Sequence, residues 1–92
     1  MNYRRQVWSL QKENTLNGIQ LNTGAEIWIL DKTLSHIQSE VGSPVTYHYE
    51  YQIQINNVTK NINEIVQSDI VYMDIEKKEL DNFLYKNCIL EI

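Results

Sequence analysis

Apolar and polar residues alternate without a break from Val45 to Asn56. Val45, Tyr47, Tyr49, Tyr51, Ile53 and Ile55 fall in one register, and Thr46, His48, Glu50, Gln52, Gln54 and Asn56 in the other. Successive side chains of a β-strand point to opposite faces, so this pattern predicts a strand with one face in a core and the other in water. Tyr, Ile, Val and Thr also suit a pleated, half-buried surface. At about 3.3 Å per residue the strand would run roughly 40 Å, longer than most.

Shorter patterns place the rest of the chain. Tyr3 to Leu10 alternates, with Val7 and Ser9 against Trp8 and Leu10, and reads as a first strand. Asn17-Gly18 supplies positive φ readily and predicts a hairpin turn, with Ile19 to Asn22 as the returning strand. Thr23-Gly24 is a second break. The apolar run Ile27 to Leu30 reads as a buried strand because Trp and Ile favour that state. Leu34, Ile37 and Val41 then recur at helical spacing, with Asp31 as N-cap before them and Gly42 as C′ residue after them. A short helix is therefore expected over 32–41. Pro44 lacks an amide hydrogen and is tolerated at the first position of the long strand.

Beyond that strand, residues 56–61 are expected to turn. Residues 61–67 read first as a strand paired back onto it, with a helical turn as the alternative. Ser68-Asp69 is expected to break the chain, and Ile70 to Ile75 to form a central strand. After Asp74 the period becomes helical: Leu80, Phe83 and Leu84 share a face. Glu76 and Glu79 near the start and Lys86 near the end suit the helix dipole, and Lys77 and Asp81 form an i,i+4 pair. A helix is expected over 76–86. Cys88 to Ile92 is a last strand or an ordered tail.

These elements predict an α+β fold in one small domain spanning 1–92. It should have a mainly antiparallel sheet of four to six strands with one or two helices packed on one face. The sheet side of the core is expected from Val7, Trp28, Ile29, Tyr47, Tyr49, Tyr51, Ile53, Ile55, Val71 and Met73, and the helical side from Leu34, Ile37, Leu80, Phe83 and Leu84. On that assignment, Asp in place of Tyr49 or Ile53 prevents folding, whereas Glu50→Lys is nearly neutral.

Composition narrows the function. The 92 residues carry a formal charge of −4. The acidic excess lies in the second half, where Glu50, Glu64, Asp69, Asp74, Glu76, Glu79, Asp81 and Glu91 face four lysines. Binding nucleic acid by phosphate neutralisation needs clustered Lys and Arg, so no direct nucleic-acid contact is expected. An acidic surface favours basic partners and is repelled by anionic membrane. No apolar run is long enough to span a bilayer, and the N-terminus lacks the apolar segment of a signal peptide. The single Cys88 forms no internal disulfide. A cytoplasmic location follows as the expectation, and Asn57-Val58-Thr59 is then a chance match to a glycosylation acceptor. One Ala against twelve Ile and ten Asn tilts the chain toward strand and toward an AT-rich coding sequence. That composition points to a low-GC bacterium or one of its mobile elements.

Candidate chemistry is sparse. The tyrosines at 47, 49 and 51 could stack bases, but the residues between them are His48 and Glu50 rather than cations. They read instead as an inner face with hydroxyls at its rim. Cys88 has no spacing that pairs it with His36 or His48, and the two histidines form no metal-ligand pattern. Gly18, Gly24 and Gly42 form no phosphate-cradling loop. Trp8 and Trp28 read as core residues, and Arg4-Arg5 as surface charge. No cofactor, metal site or catalytic residue is expected, so the chain is read as a non-enzyme.

Glu50, Asp74, Glu76, Glu79 and Asp81 are the candidate partner-binding residues, an acidic patch set against the bland reading of a solvated helix face. The leading expectation is a non-catalytic interaction module. Its partner would be a larger protein, met at a basic surface or a nucleic-acid-binding groove or by strand addition to a sheet edge, and a homodimer is a further expectation. In size, acidity and composition the chain resembles small orphan proteins of phages and other mobile elements. Among these are inhibitors of bacterial defence such as anti-CRISPR proteins, and immunity proteins or antitoxins. The resemblance is one of type and implies inhibition or sequestration of that larger protein. The alternative expectation is a small-molecule-binding protein with a pocket of Tyr, Gln and Trp between sheet and helix.

Overall fold

The computed structural model describes residues 5–60 and 65–91. In chain order the elements are β1 (Gln6–Leu10), β2 (Asn14–Leu16), β3 (Ile19–Leu21), β4 (Glu26–Gln38), β5 (Thr46–Lys60), β6 (Ile65–Glu76), α1 (Lys77–Asn87) and β7 (Cys88–Glu91). Five strands form one antiparallel sheet in the order β6-β5-β4-β1-β7, and β2 and β3 pair separately. The α+β architecture expected from the sequence is therefore present.

α1 carries the chain from one edge strand, β6, to the other, β7, across a single face of the sheet. The β2–β3 hairpin covers the same face, which is called inner below. Its turn is Asn17-Gly18, with φ of 49° and 84°. Only Gly, and less readily Asn, adopt that conformation, and it matches the twist of a two-residue hairpin. The returning strand pairs with Asn14–Leu16 rather than with β1.

The core lies between the inner face and these covers. Trp8, Leu10, Ile27, Ile29, Ile53, Ile55 and Ile75 come from the sheet, Leu16 and Leu21 from the hairpin, and Leu80 and Leu84 from α1. Val71, Met73, Phe83 and Tyr51 pack around its rim. Val7 and Trp28, expected in the core, lie half-buried on the opposite, outer face. They pair with each other one register position away from the inner Trp8–Ile27 pair.

Four further expectations fail, each for a physical reason. No helix forms at 32–41, because β4 continues through Gln38 along its long neighbour. Its register slips between Ile29 and Asp31 and again between Leu34 and His36. Each slip inserts one extra residue, Leu30 and Ser35, as a β-bulge. The inner positions of β4 thus run Ile27, Ile29, Lys32, Leu34, Ile37, and the three-residue steps imitate a helix. Gly42, at φ 83°, serves the turn of the β4–β5 hairpin instead of capping a helix. The turn expected at 56–61 is absent as far as Lys60, because β5 extends to it. Residues 61–64 of the strand expected over 61–67 lie outside the described residues. The break expected at Ser68-Asp69 is a bulge inside β6, where Asn57 pairs with Asp69 and Val58 with Gln67.

The last failure concerns cover. At about 1.5 Å per residue, the 11 residues of α1 reach roughly 16 Å, whereas the 15 residues of β5 run about 50 Å. The strand outruns its lid. Along the inner register of β5, exposure falls from 55% at Tyr47 and 36% at Tyr49 to 1% at Ile53 and 0% at Ile55. Tyr47, Tyr49, Leu34 and Ile37, all expected in the core, are exposed. The paired ends of β4 and β5 project as a two-stranded arm, with a long molecular axis of 60 Å against 32 and 20 Å across.

Candidate interaction surface

No described element covers the outer face of β4, β5 and β6. Cross-strand pairing fixes which side chains share it. Glu50 stands directly opposite Glu76, and Gln52 stands between Asp31 and Asp74 in the next row. Glu26 lies further along the same face and accepts a hydrogen bond from Trp28 Nε1 at 3.2 Å. Neighbouring strands are about 4.8 Å apart, so Glu50, Glu76, Asp31 and Asp74 fill two adjoining rows, with Glu26 two rows beyond them. From Thr46 to Asn56 of β5, and at the positions facing them on β4 and β6, the outer register includes no Lys or Arg; Lys60 stands four residues further along β5 in that register.

Of the five candidate residues, the sheet therefore brings Glu50, Asp74 and Glu76 together. Glu79 is exposed in the first turn of α1, where its charge suits the helix dipole. Asp81 is drawn away. Its Oδ1 accepts a hydrogen bond from the Tyr51 hydroxyl at 3.2 Å, and its Oδ2 binds Lys77 Nζ at 2.7 Å. Desolvation, followed by the Asp81 charge, pushes the Tyr51 hydroxyl above its ordinary pKa. The hydrogen bond to Asp81 does the same for Lys77. Asp31 and Glu26 were not among the candidates. Their place on the acidic face depends on register with β5, and for Asp31 the bulge at Leu30 hides that register from any local pattern.

The inner face of the arm has a different character. Leu34 pairs with Tyr49 and Ile37 with Tyr47, so four exposed apolar or aromatic side chains form a stripe continuous with the core face. At its base Lys32 Nζ lies 5.1 Å from the centre of the Tyr49 ring. A depression of about 250 Å³ there is lined by Tyr47, His48, Tyr49, Glu76, Lys77 and Lys78. On the outer side of the arm the rings of His36 and His48 stack at 4.2 Å, and His48 Nε2 meets Gln38 Oε1 at 3.1 Å.

Among the described residues no three His, Cys, Asp or Glu side chains gather as metal ligands. Cys88 is half-buried, and burial pushes its thiol up to about 11. Leu80 and Leu84 occupy the space between sheet and helix. No helix of the described residues is long and apolar enough to cross a membrane. Compared with protein-family models, curated proteins and solved structures, the chain matches none.

Proposed function

We propose that the chain is a non-catalytic binding module that docks the acidic outer face of its sheet onto a basic surface of a larger protein. The observation that supports this reading is the placing of Glu26, Asp31, Glu50, Asp74 and Glu76 on one sheet face that no described element covers, with Lys60 as the one cation among the described outer positions of β4, β5 and β6, beyond the rows that hold them. Like charges directly opposite on neighbouring strands are destabilising by roughly 0.2–1 kcal/mol. The Glu50–Glu76 pair is such an arrangement, and a cationic partner would relieve it. Complementary charge of this kind speeds encounter and selects the partner. The size and composition shared with small mobile-element proteins make inhibition of that partner the expected consequence.

The test compares the chain with a variant carrying Glu50→Gln, Asp74→Asn and Glu76→Gln. Each is immobilised and exposed to lysate of a low-GC bacterial host at about 50 mM and about 300 mM salt. The native chain should retain a stoichiometric partner at the lower salt and release it at the higher. The neutralised variant should retain none. Equal recovery by both chains, or none by either at low salt, would reject the reading.

A further inference from the structure

We infer that the inner face of the β4–β5 arm is a self-association surface on which a second copy of this chain packs its own arm, antiparallel and about a two-fold axis. The inference is independent of the acidic-face reading, because the two faces of the sheet are different surfaces.

A two-stranded ribbon with one apolar face is marginal in water until a further layer covers that face. The arm is such a ribbon. Leu34, Ile37, Tyr47 and Tyr49 stand on its inner side, exposed at 48, 54, 55 and 36%. They extend the face that α1 buries at Ile53 and Ile55. Charge then decides what can lie there. The net charge is −4, and the outer face with its five carboxylates repels a copy of itself. The inner register positions of the arm carry no carboxylate and one cation, Lys32. A second copy therefore meets this chain with least repulsion on the inner side.

The ends of the arm set the direction. Between Gln38 and Thr46 the only charged residue is Glu40, at the tip. At the base, Lys32 and the Lys77 and Lys78 that line the Tyr47–Tyr49 depression outnumber the one carboxylate of that lining, Glu76. An antiparallel overlay lays the anionic tip of each copy over the cationic base of the other and keeps the four apolar side chains in the middle. A parallel overlay would set lysine on lysine. The two-fold arrangement is closed, because each copy offers and receives the same patch. The side chains placed at the contact in each copy are few, well under the roughly 20–30 of a standard interface, so the association is weak and concentration-dependent.

Sedimentation velocity of the full chain, from about 10 μM to about 1 mM, tests the inference. The mass should rise from 10.9 kDa toward twice that value. Ile37→Asp should hold it at the monomer while the circular dichroism spectrum stays native, since Ile37 lies outside the folded body. Glu40→Lys should weaken association about tenfold, and adding Lys32→Glu in the same chain should restore most of the loss. A native chain that stays monomeric throughout, or a dimer untouched by Ile37→Asp, overturns the inference. If the double exchange fails to restore what Glu40→Lys removes, the antiparallel overlay is wrong.

Discussion

Ile53 and Tyr49 share one register of one strand, yet their side chains lead different lives. Ile53 is 1% exposed beneath α1, and Tyr49 is 36% exposed beyond it. Ile53→Asp places an unpaired carboxylate among core side chains and should cost about 4 kcal/mol or more, enough to unfold a domain of this size. Tyr49→Asp loses only a partly wet ring and its contact with Lys32, and should cost under about 1 kcal/mol. Urea titrations followed by circular dichroism distinguish the two. At Glu50, the carboxylate opposite Glu76 is better replaced by a cation, so Glu50→Lys should stabilise the chain by about 0.5 kcal/mol in the same assay. Cys88 gives a pH-dependent readout. Its thiol titrates at about 11 in the folded chain, against an ordinary value of 9.0. The folded state therefore holds this proton more tightly. The group's contribution to stability is complete below pH 9 and is lost as pH rises toward about 11. Thiolate is the reactive form, so alkylation of the native chain should rise through about pH 11, while the urea-unfolded chain reacts from about pH 9.

Elements were legible wherever local pattern and long-range pairing agree. The twelve-residue alternation gave β5 and its faces, Asn17-Gly18 gave a turn, and the spacing of Leu80 and Leu84 with the charges around them gave α1. β4 was not legible beyond Leu30. Its two bulges turn the inner spacing of a strand into steps of three that read as a helix, and only pairing with β5 reveals them. The candidate site divides the same way. Glu50, Asp74 and Glu76 were visible in sequence, but Asp31 joins them through the bulged register, and Asp81 leaves them for Tyr51 and Lys77. The exposure of Tyr47 was hidden because alternation shows which side chains share a face and says nothing of where the cover ends. The arm, having no cover, should be separable from the body. Replacing residues 33–50 by Asn-Gly closes the Lys32–Tyr51 pair with a favoured two-residue turn. The shortened chain should keep a cooperative urea transition within about 1 kcal/mol of the native one, since the core residues all remain. Loss of the transition would mean that the arm takes part in folding the body.

At the scale of the whole molecule, the arm determines shape. A compact chain of 92 residues has a radius of gyration near 12 Å, whereas this one reaches 15.6 Å. Its accessible surface, 6552 Å², likewise exceeds the roughly 5,600 Å² expected of a compact protein of 10.9 kDa. Both excesses follow from a strand three times as long as the helix laid across it. They leave the apolar inner stripe of the arm available together with the acidic outer face of the body at its base. Small-angle X-ray scattering in dilute solution, where self-association is negligible, measures this directly. The native chain should give a radius about 3 Å above the compact value, and the chain with 33–50 replaced should fall close to that value. A native radius already near 12 Å would mean the arm lies folded against the body in solution. The inner stripe would then be covered by its own molecule and closed to a second copy.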